Sequence, residues 1–119
     1  QQIFTNLPAT VIGAEIDGGS GFWHISDAKT SATAITEIKK AKQGVAYCIE
    51  IGEDDATHGL TIAKSGNFAN ITAEWTPSQP GDYIMVILGK DNKYRELERR
   101  VGGKRTVNKA AQPNVPGGR

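Results

Sequence analysis

An all-β fold, a small antiparallel β-sandwich or barrel-like meander, is predicted by three features of this 119-residue chain. Val45–Ile51 alternates strictly, with Val45, Tyr47, Ile49 and Ile51 on one face and Ala46, Cys48 and Glu50 on the other. Tyr83–Leu88 is an unbroken apolar run of strand length, bounded by Gly81-Asp82 before it and Gly89-Lys90-Asp91-Asn92 after it. Turn-forming clusters recur between short β-branched segments, a loose rung-like pattern with no exact internal repeat.

Each element follows from its residues. Gln1–Pro8 reads as an extended arm, because Pro8 biases Leu7 toward extended geometry and donates no backbone hydrogen bond. Ala9–Ile16 and Gly21–Ser26 read as strands joined by Asp17-Gly-Gly-Ser-Gly21, a hairpin by proximity. Ser31–Lys42 supports two readings. Ala34, Ile35, Ile38 and Ala41 fit a helical period, giving a short helix at 33–42, whereas the β-branched Ile35 and Ile38 fit a strand over Ala32–Ile38. Glu53–Gly59 is an acidic loop, Leu60–Ala63 a short strand, and Ser65-Gly66-Asn67 a tight turn. Phe68–Trp75 returns as a further strand or a pair of β-segments, and Thr76–Asp82, with Pro77, Pro80 and Gly81, is a loop. Tyr83–Leu88, apolar on both faces, is expected to be the most buried strand. Gly89–Asn92 turns it into Lys93–Glu98. The β-domain is therefore placed at Ala9–Arg100, and Val101–Arg119 is read as a basic flexible tail or assembly arm, too poor in large apolar residues to order alone.

Composition bounds the function. The net charge of +1 divides unevenly: Arg99, Arg100, Lys104, Arg105, Lys109 and Arg119 leave a mildly acidic body ahead of a basic end. An apolar fraction of 38% predicts a thin core, unstructured ends, or a fold completed by partner subunits. Cys48 is the single cysteine, so an intramolecular disulfide scaffold is excluded. No apolar run is long enough for a membrane-spanning helix and no signal-peptide pattern is visible, and the Gln-Gln opening is expected to be a processed or designed start.

No motif predicts catalysis, a cofactor or a metal. His24 and His58 lack the ligand spacings of metal sites, and Glu53-Asp54-Asp55 lacks the calcium-loop pattern. Cys48 sits mid-strand with no basic neighbour in sequence to activate it. Asp17–Gly21 matches neither common phosphate-loop pattern and reads as a turn, and the Asn70-Ile-Thr72 sequon stands without a secretory marker. Trp23, Tyr47, Trp75, Tyr83 and Tyr94 could stack on sugars, which defines a carbohydrate-binding β-module as the alternative function, with a surface glycan as partner. The basic end lacks the aromatic interleaving of single-strand binders, which disfavours nucleic acid.

The ordered series Ile35-Thr36-x-Ile38, Gly44 before Tyr47-x-Ile49, Leu60-Thr-Ile-Ala63, Ser65-Gly-Asn-Phe68, Trp75-Thr-Pro77, Gly81-Asp-Tyr-Ile84 and Tyr94-x-Glu96-Leu97 ahead of Arg99 resembles one known module. It is that of structural proteins of tailed bacteriophages and prophages, especially head-fibre, decoration and tail-fibre chains. The resemblance spans Thr33–Arg100 and favours the strand for the ambiguous segment. It implies a non-enzymatic virion protein that assembles as a homotrimer and contacts capsid or fibre subunits. Ile49, Ile62, Phe68, Trp75, Ile84 and Val86 are the expected core or subunit seam, and Arg99, Arg100, Lys104, Arg105 and Lys109 the expected capsid or partner contacts.

Overall fold

The computed structural model describes residues 15–26, 33–52 and 60–109, and these are all-β. The strands among them are β1 (Glu15–Asp17), β2 (Trp23–Ser26), β3 (Thr33–Ala34), β4 (Glu37–Lys39), β5 (Ala46–Ile51), β6 (Leu60–Thr61), β7 (Tyr83–Leu88), β8 (Tyr94–Val101) and β9 (Lys104–Val107). A five-stranded sheet runs in the order β2-β5-β7-β8-β9, and two small sheets pair β1 with β4 and β3 with β6. The sheets are open rather than closed into a barrel.

The first six strands are laid down as two stacked coils. β1, β2 and β3 lie parallel on β4, β5 and β6, so that Glu15 meets Glu37, Trp23 meets Cys48 and Thr33 meets Leu60. This corrects the expected antiparallel hairpin of the first two strands. Asp17 caps a 3-10 turn over Gly18–Ser20 by accepting from Gly19 N at 2.9 Å, and that turn sends β2 to a different sheet instead of back along β1. A parallel pairing needs a long crossover, and the chain through β3 and β4 supplies it. The second coil is then closed by antiparallel neighbours. β7 pairs with β5, and Trp75 exchanges backbone hydrogen bonds with Ile62 at 2.9 and 3.0 Å.

The segment 33–42 holds β3 and β4 and no helix. A break at Ile35-Thr36 lets Ile35 and Ile38 both turn inward, each 2% exposed, which produces helical spacing without a helix. Ile35 N donates to Thr61 O at 2.8 Å across the break. Phe68 opens a return segment that is not a continuous strand. Gly66–Phe68 forms a 3-10 turn, and only Asn70 and Trp75 make isolated bridges. The chain after Arg100 also departs from expectation. Val101 belongs to β8 and Lys104–Val107 forms β9. Gly102 and Gly103, at φ of 61° and 82°, make the two-residue turn that a hairpin requires, so the sheet extends past the expected boundary. Residues 110–119, and the expected arm and strand before Glu15, lie outside the described residues.

The core gathers on one side of the five-stranded sheet. Ile49, Ile62, Phe68, Trp75, Ile84 and Val86 are all at most 1% exposed and belong to one cluster, with Tyr47, Ile51, Leu60 and Ile71 among its other members. Phe68 stacks on Tyr94 with ring centroids 4.8 Å apart, and Tyr94 Oη donates to Ile38 O at 3.1 Å, tying β8 to β4. Burial pushes the Tyr94 phenol up to about 12, aided by the nearby Tyr47 and Glu37. Each fully buried aliphatic side chain contributes about 1.5–3 kcal/mol.

Candidate assembly surface

The second side of the five-stranded sheet is the surface with functional potential, and the register shows what stands on it. Residues opposite one another across a ladder share a face. One row runs Trp23, Cys48, Met85, Glu98 and Val107; the next runs Ile25, Glu50, Tyr83, Arg100 and Arg105. A shorter third row holds Ala46, Ile87 and Arg95. Tyr83–Leu88, apolar on both faces, is the strand expected to be most buried, but β5 is more so. Ile84, Val86 and Leu88 are buried while Tyr83, Met85 and Ile87 stay half-exposed. The core residues fill one face, and no layer of comparable thickness covers the other among the described residues.

Cross-strand hydrogen bonds fix the side chains of this open face in aim. Trp23 Nε1 donates to Glu50 Oε1 at 2.7 Å, bridging β2 and β5. Tyr83 Oη donates to Glu98 Oε2, and Arg105 donates to both Glu98 oxygens at 3.0 and 3.2 Å, linking β7, β8 and β9. Arg105 and then Tyr83 hold the Glu98 carboxyl below its ordinary range. Burial and the Glu98 carboxylate push the Tyr83 phenol up. Cys48 lies within the apolar row at 3% exposure, and burial drives its thiol strongly upward, with Glu50 and Glu98 adding to the shift. A thiol held protonated is a poor nucleophile.

Two buried carboxylates lock the strands that carry the face. Asp82 accepts backbone hydrogen bonds from Ser78, Gln79, Gly102 and Gly103 at 2.9, 3.2, 2.7 and 3.1 Å. It therefore clamps the 76–82 loop onto the β8–β9 turn. Burial alone would raise its pKa, but the four N–H donors outweigh that and lower it. Glu96 is 1% exposed and faces the core side, where it accepts from Thr72 N and Oγ1 and from Arg99. Neither carboxylate was singled out from sequence. Gly81-Asp82 follows a proline loop in the sequence, but Gly102-Gly103 falls in the stretch read as a tail, and the contact between the two is long-range.

The basic residues expected to meet a partner separate into different roles. Arg99 points inward and binds Glu96 and the carbonyls of Ala73 and Glu74. Arg100 is half-buried on the open face, and Arg105 is exposed there with Glu98. Lys104 and Lys109 are exposed. Of the five rings considered for sugar stacking, Tyr47, Trp75 and Tyr94 are buried in the core, while Trp23 and Tyr83 stand on the open face. His24 faces the core side beside Ile49, and its ring Nε2 lies 2.9 Å from Gly21 O. Burial lowers its pKa despite that contact and the nearby Asp17. His58 and the acidic Glu53–Asp55 loop lie outside the described residues, and no cluster of three or more metal-ligating side chains occurs among those described. No helix among the described residues is long and apolar enough to cross a membrane.

Comparison with protein-family models, with curated proteins and with solved structures returns no match.

Proposed function

We propose that this chain is a non-enzymatic virion structural module of a tailed bacteriophage, a head-decoration, head-fibre or tail-fibre component that works as a homotrimer. The observation that supports assembly is the open face itself. Apart from the buried Cys48, its apolar residues stand on adjacent strands and are partly exposed, although the same sheet already has a filled core behind it. A contiguous apolar patch of this kind on a small domain marks an interaction surface. Its aromatic and arginine content matches the residue types that anchor interfaces. The placement in a virion rests on the order of strands and turns over Thr33–Arg100. Subunits meet through the open face, and the exposed Lys104 and Lys109 are left to contact capsid or fibre neighbours.

Immunogold electron microscopy of purified phage particles, with antibody raised to this chain, tests the placement. Label on the head surface or on fibres is expected. Particles that carry the gene and bind no antibody, intact or disrupted, would refute a virion role.

A further inference from the structure

The open face divides into two halves of unlike charge about its central strand, β7. On the β2–β5 half the one charged residue is Glu50; on the β8–β9 half Arg95, Arg100 and Arg105 outnumber Glu98. Arg105 is satisfied by Glu98. Arg100 is not satisfied: its Nε is buried with no hydrogen-bond partner, and no carboxylate lies within ion-pair distance of it among the described residues. A guanidinium drawn partly out of water without an anion is costly, and the cost is recovered when a carboxylate arrives from outside. Glu50 occupies the same cross-strand row, with Tyr83 between them. The two stand two strand spacings apart, about 10 Å, across the Tyr83 ring, and no ion pair joins them within the chain. Glu50 Oε1 is held by Trp23 Nε1, so the carboxylate is fixed in aim, and its other oxygen makes no hydrogen bond among the described residues.

We propose that Arg100 of one copy pairs with Glu50 of the next, the β8–β9 half of one open face packing on the β2–β5 half of its neighbour. The pairing rests on the assembly function proposed above and names its contact. Where each half meets a different neighbour the packing is heterologous, and a threefold ring then repeats the same pair at every seam. Face-packed sheets stand about 10 Å apart, a gap that an arginine and a glutamate reaching from opposite sides can bridge. Met85 and Val107, in the neighbouring row, place apolar surface beside the ion pair and shield it from water.

Sedimentation equilibrium of the full chain tests this with four proteins: wild type, Glu50→Arg, Arg100→Glu, and the double reversal. Each single reversal sets like charges against each other and is expected to weaken association at least about tenfold. The double reversal is expected to restore most of the loss. Wild-type-like circular dichroism is required of each variant. If a reversal fails to fold, Glu50→Gln and Arg100→Gln replace it and are expected to weaken association in the same direction. A wild-type oligomer indifferent to the single substitutions, or a double reversal no better than the singles, overturns the pair and leaves the assembly standing. A wild type that stays monomeric at every concentration overturns both.

Discussion

Glu96 and Arg99 lie three residues apart in one strand and yet on the same face of the sheet. In a regular strand, side chains three apart point to opposite faces. The ladder with β7 shows why these do not. Met85 is opposite Glu98 but Val86 is opposite Glu96, so Leu97 is an extra residue in a bulge. The bulge reverses the alternation, which takes Arg99 inward and leaves Glu98 and Arg100 on the open face. Leu97 O accepts from Asn108 N at 2.9 Å, which anchors the chain leaving β9 against the bulge. Arg99 then meets Glu96 through Nε at 3.0 Å and Nη2 at 2.7 Å, and its Nη1 and Nη2 also hold Glu74 O and Ala73 O.

Removing one member of that buried pair strands the other. Glu96→Ala is expected to destabilise the fold by about 2–4 kcal/mol, because Arg99 keeps a largely shielded charge and Thr72 loses its acceptor. Glu96→Ala combined with Arg99→Met is expected to cost less than Glu96→Ala alone. Urea denaturation of the three proteins measures this; a double variant worse than the single would show that uncompensated charge is not the cause.

Asp82 gives the fold an acid-sensitive clamp. Its folded pKa is lowered, so its contribution is fully present above the ordinary carboxylate value of about 4 and is lost as pH falls through the folded value below it. Asp82→Asn is expected to cost about 2–4 kcal/mol at pH 7, since one amide oxygen replaces two charged acceptors for four donors. The variant should also lose less of its remaining stability than wild type below about pH 4. Denaturant midpoints across that range provide the check, and parallel acid profiles would count against the clamp.

Trp75 is wholly buried, and its Nε1 has no hydrogen-bond partner among the described residues. Trp75→Ala is expected to cost about 3–5 kcal/mol through the cavity it leaves. Trp75→Phe should cost much less, because losing the ring nitrogen also relieves an unmet donor worth about 1–3 kcal/mol. Equal losses for the two substitutions would mean that the indole shape, not its burial, is what the core requires.

Gly18 is a site of close approach. A Cβ there would sit 2.8 Å from Lys39 O and 2.9 Å from Ile38 Cγ2, with Tyr47 Cε1 at 3.3 Å. Gly18→Ala must push backbone and is expected to cost about 1–3 kcal/mol. At Gly19 the nearest atom is the flexible Lys40 Cδ at 3.0 Å, so Gly19→Ala should be milder. Thermal melts that rank the two in the opposite order would contradict the packing of the turn on β4.

Local pattern carried the strands and failed where distant residues decide. The alternation of β5 and the Gly89–Asn92 turn were legible, the latter because Asn92 accepts a φ of 62° and Asp91 accepts from Lys93 N at 3.0 Å. The parallel stacking of β1–β3 on β4–β6 was not, since adjacency in sequence favours a hairpin and only the packed core selects the crossover. Tyr94 and Leu97, three apart, already break a two-residue alternation, but nothing local in Tyr94–Glu98 says which residue is the extra one. β9 was missed because its lysine and arginine were read as a tail, although those charges are what blunt a sheet edge. Tyr83–Leu88 is apolar on both faces in the string, and only the fold shows that Tyr83, Met85 and Ile87 stand on the less covered side.

That copies of this chain meet through the open face is the central expectation. Light scattering coupled to size exclusion, on wild type and on a Met85→Glu/Ile87→Glu variant that keeps the core-side residues, measures it. The expected masses are three times the 12.7 kDa chain for wild type and one chain for the variant. A wild type that elutes as one chain at all concentrations, or a trimer that the two glutamates leave intact, would contradict it.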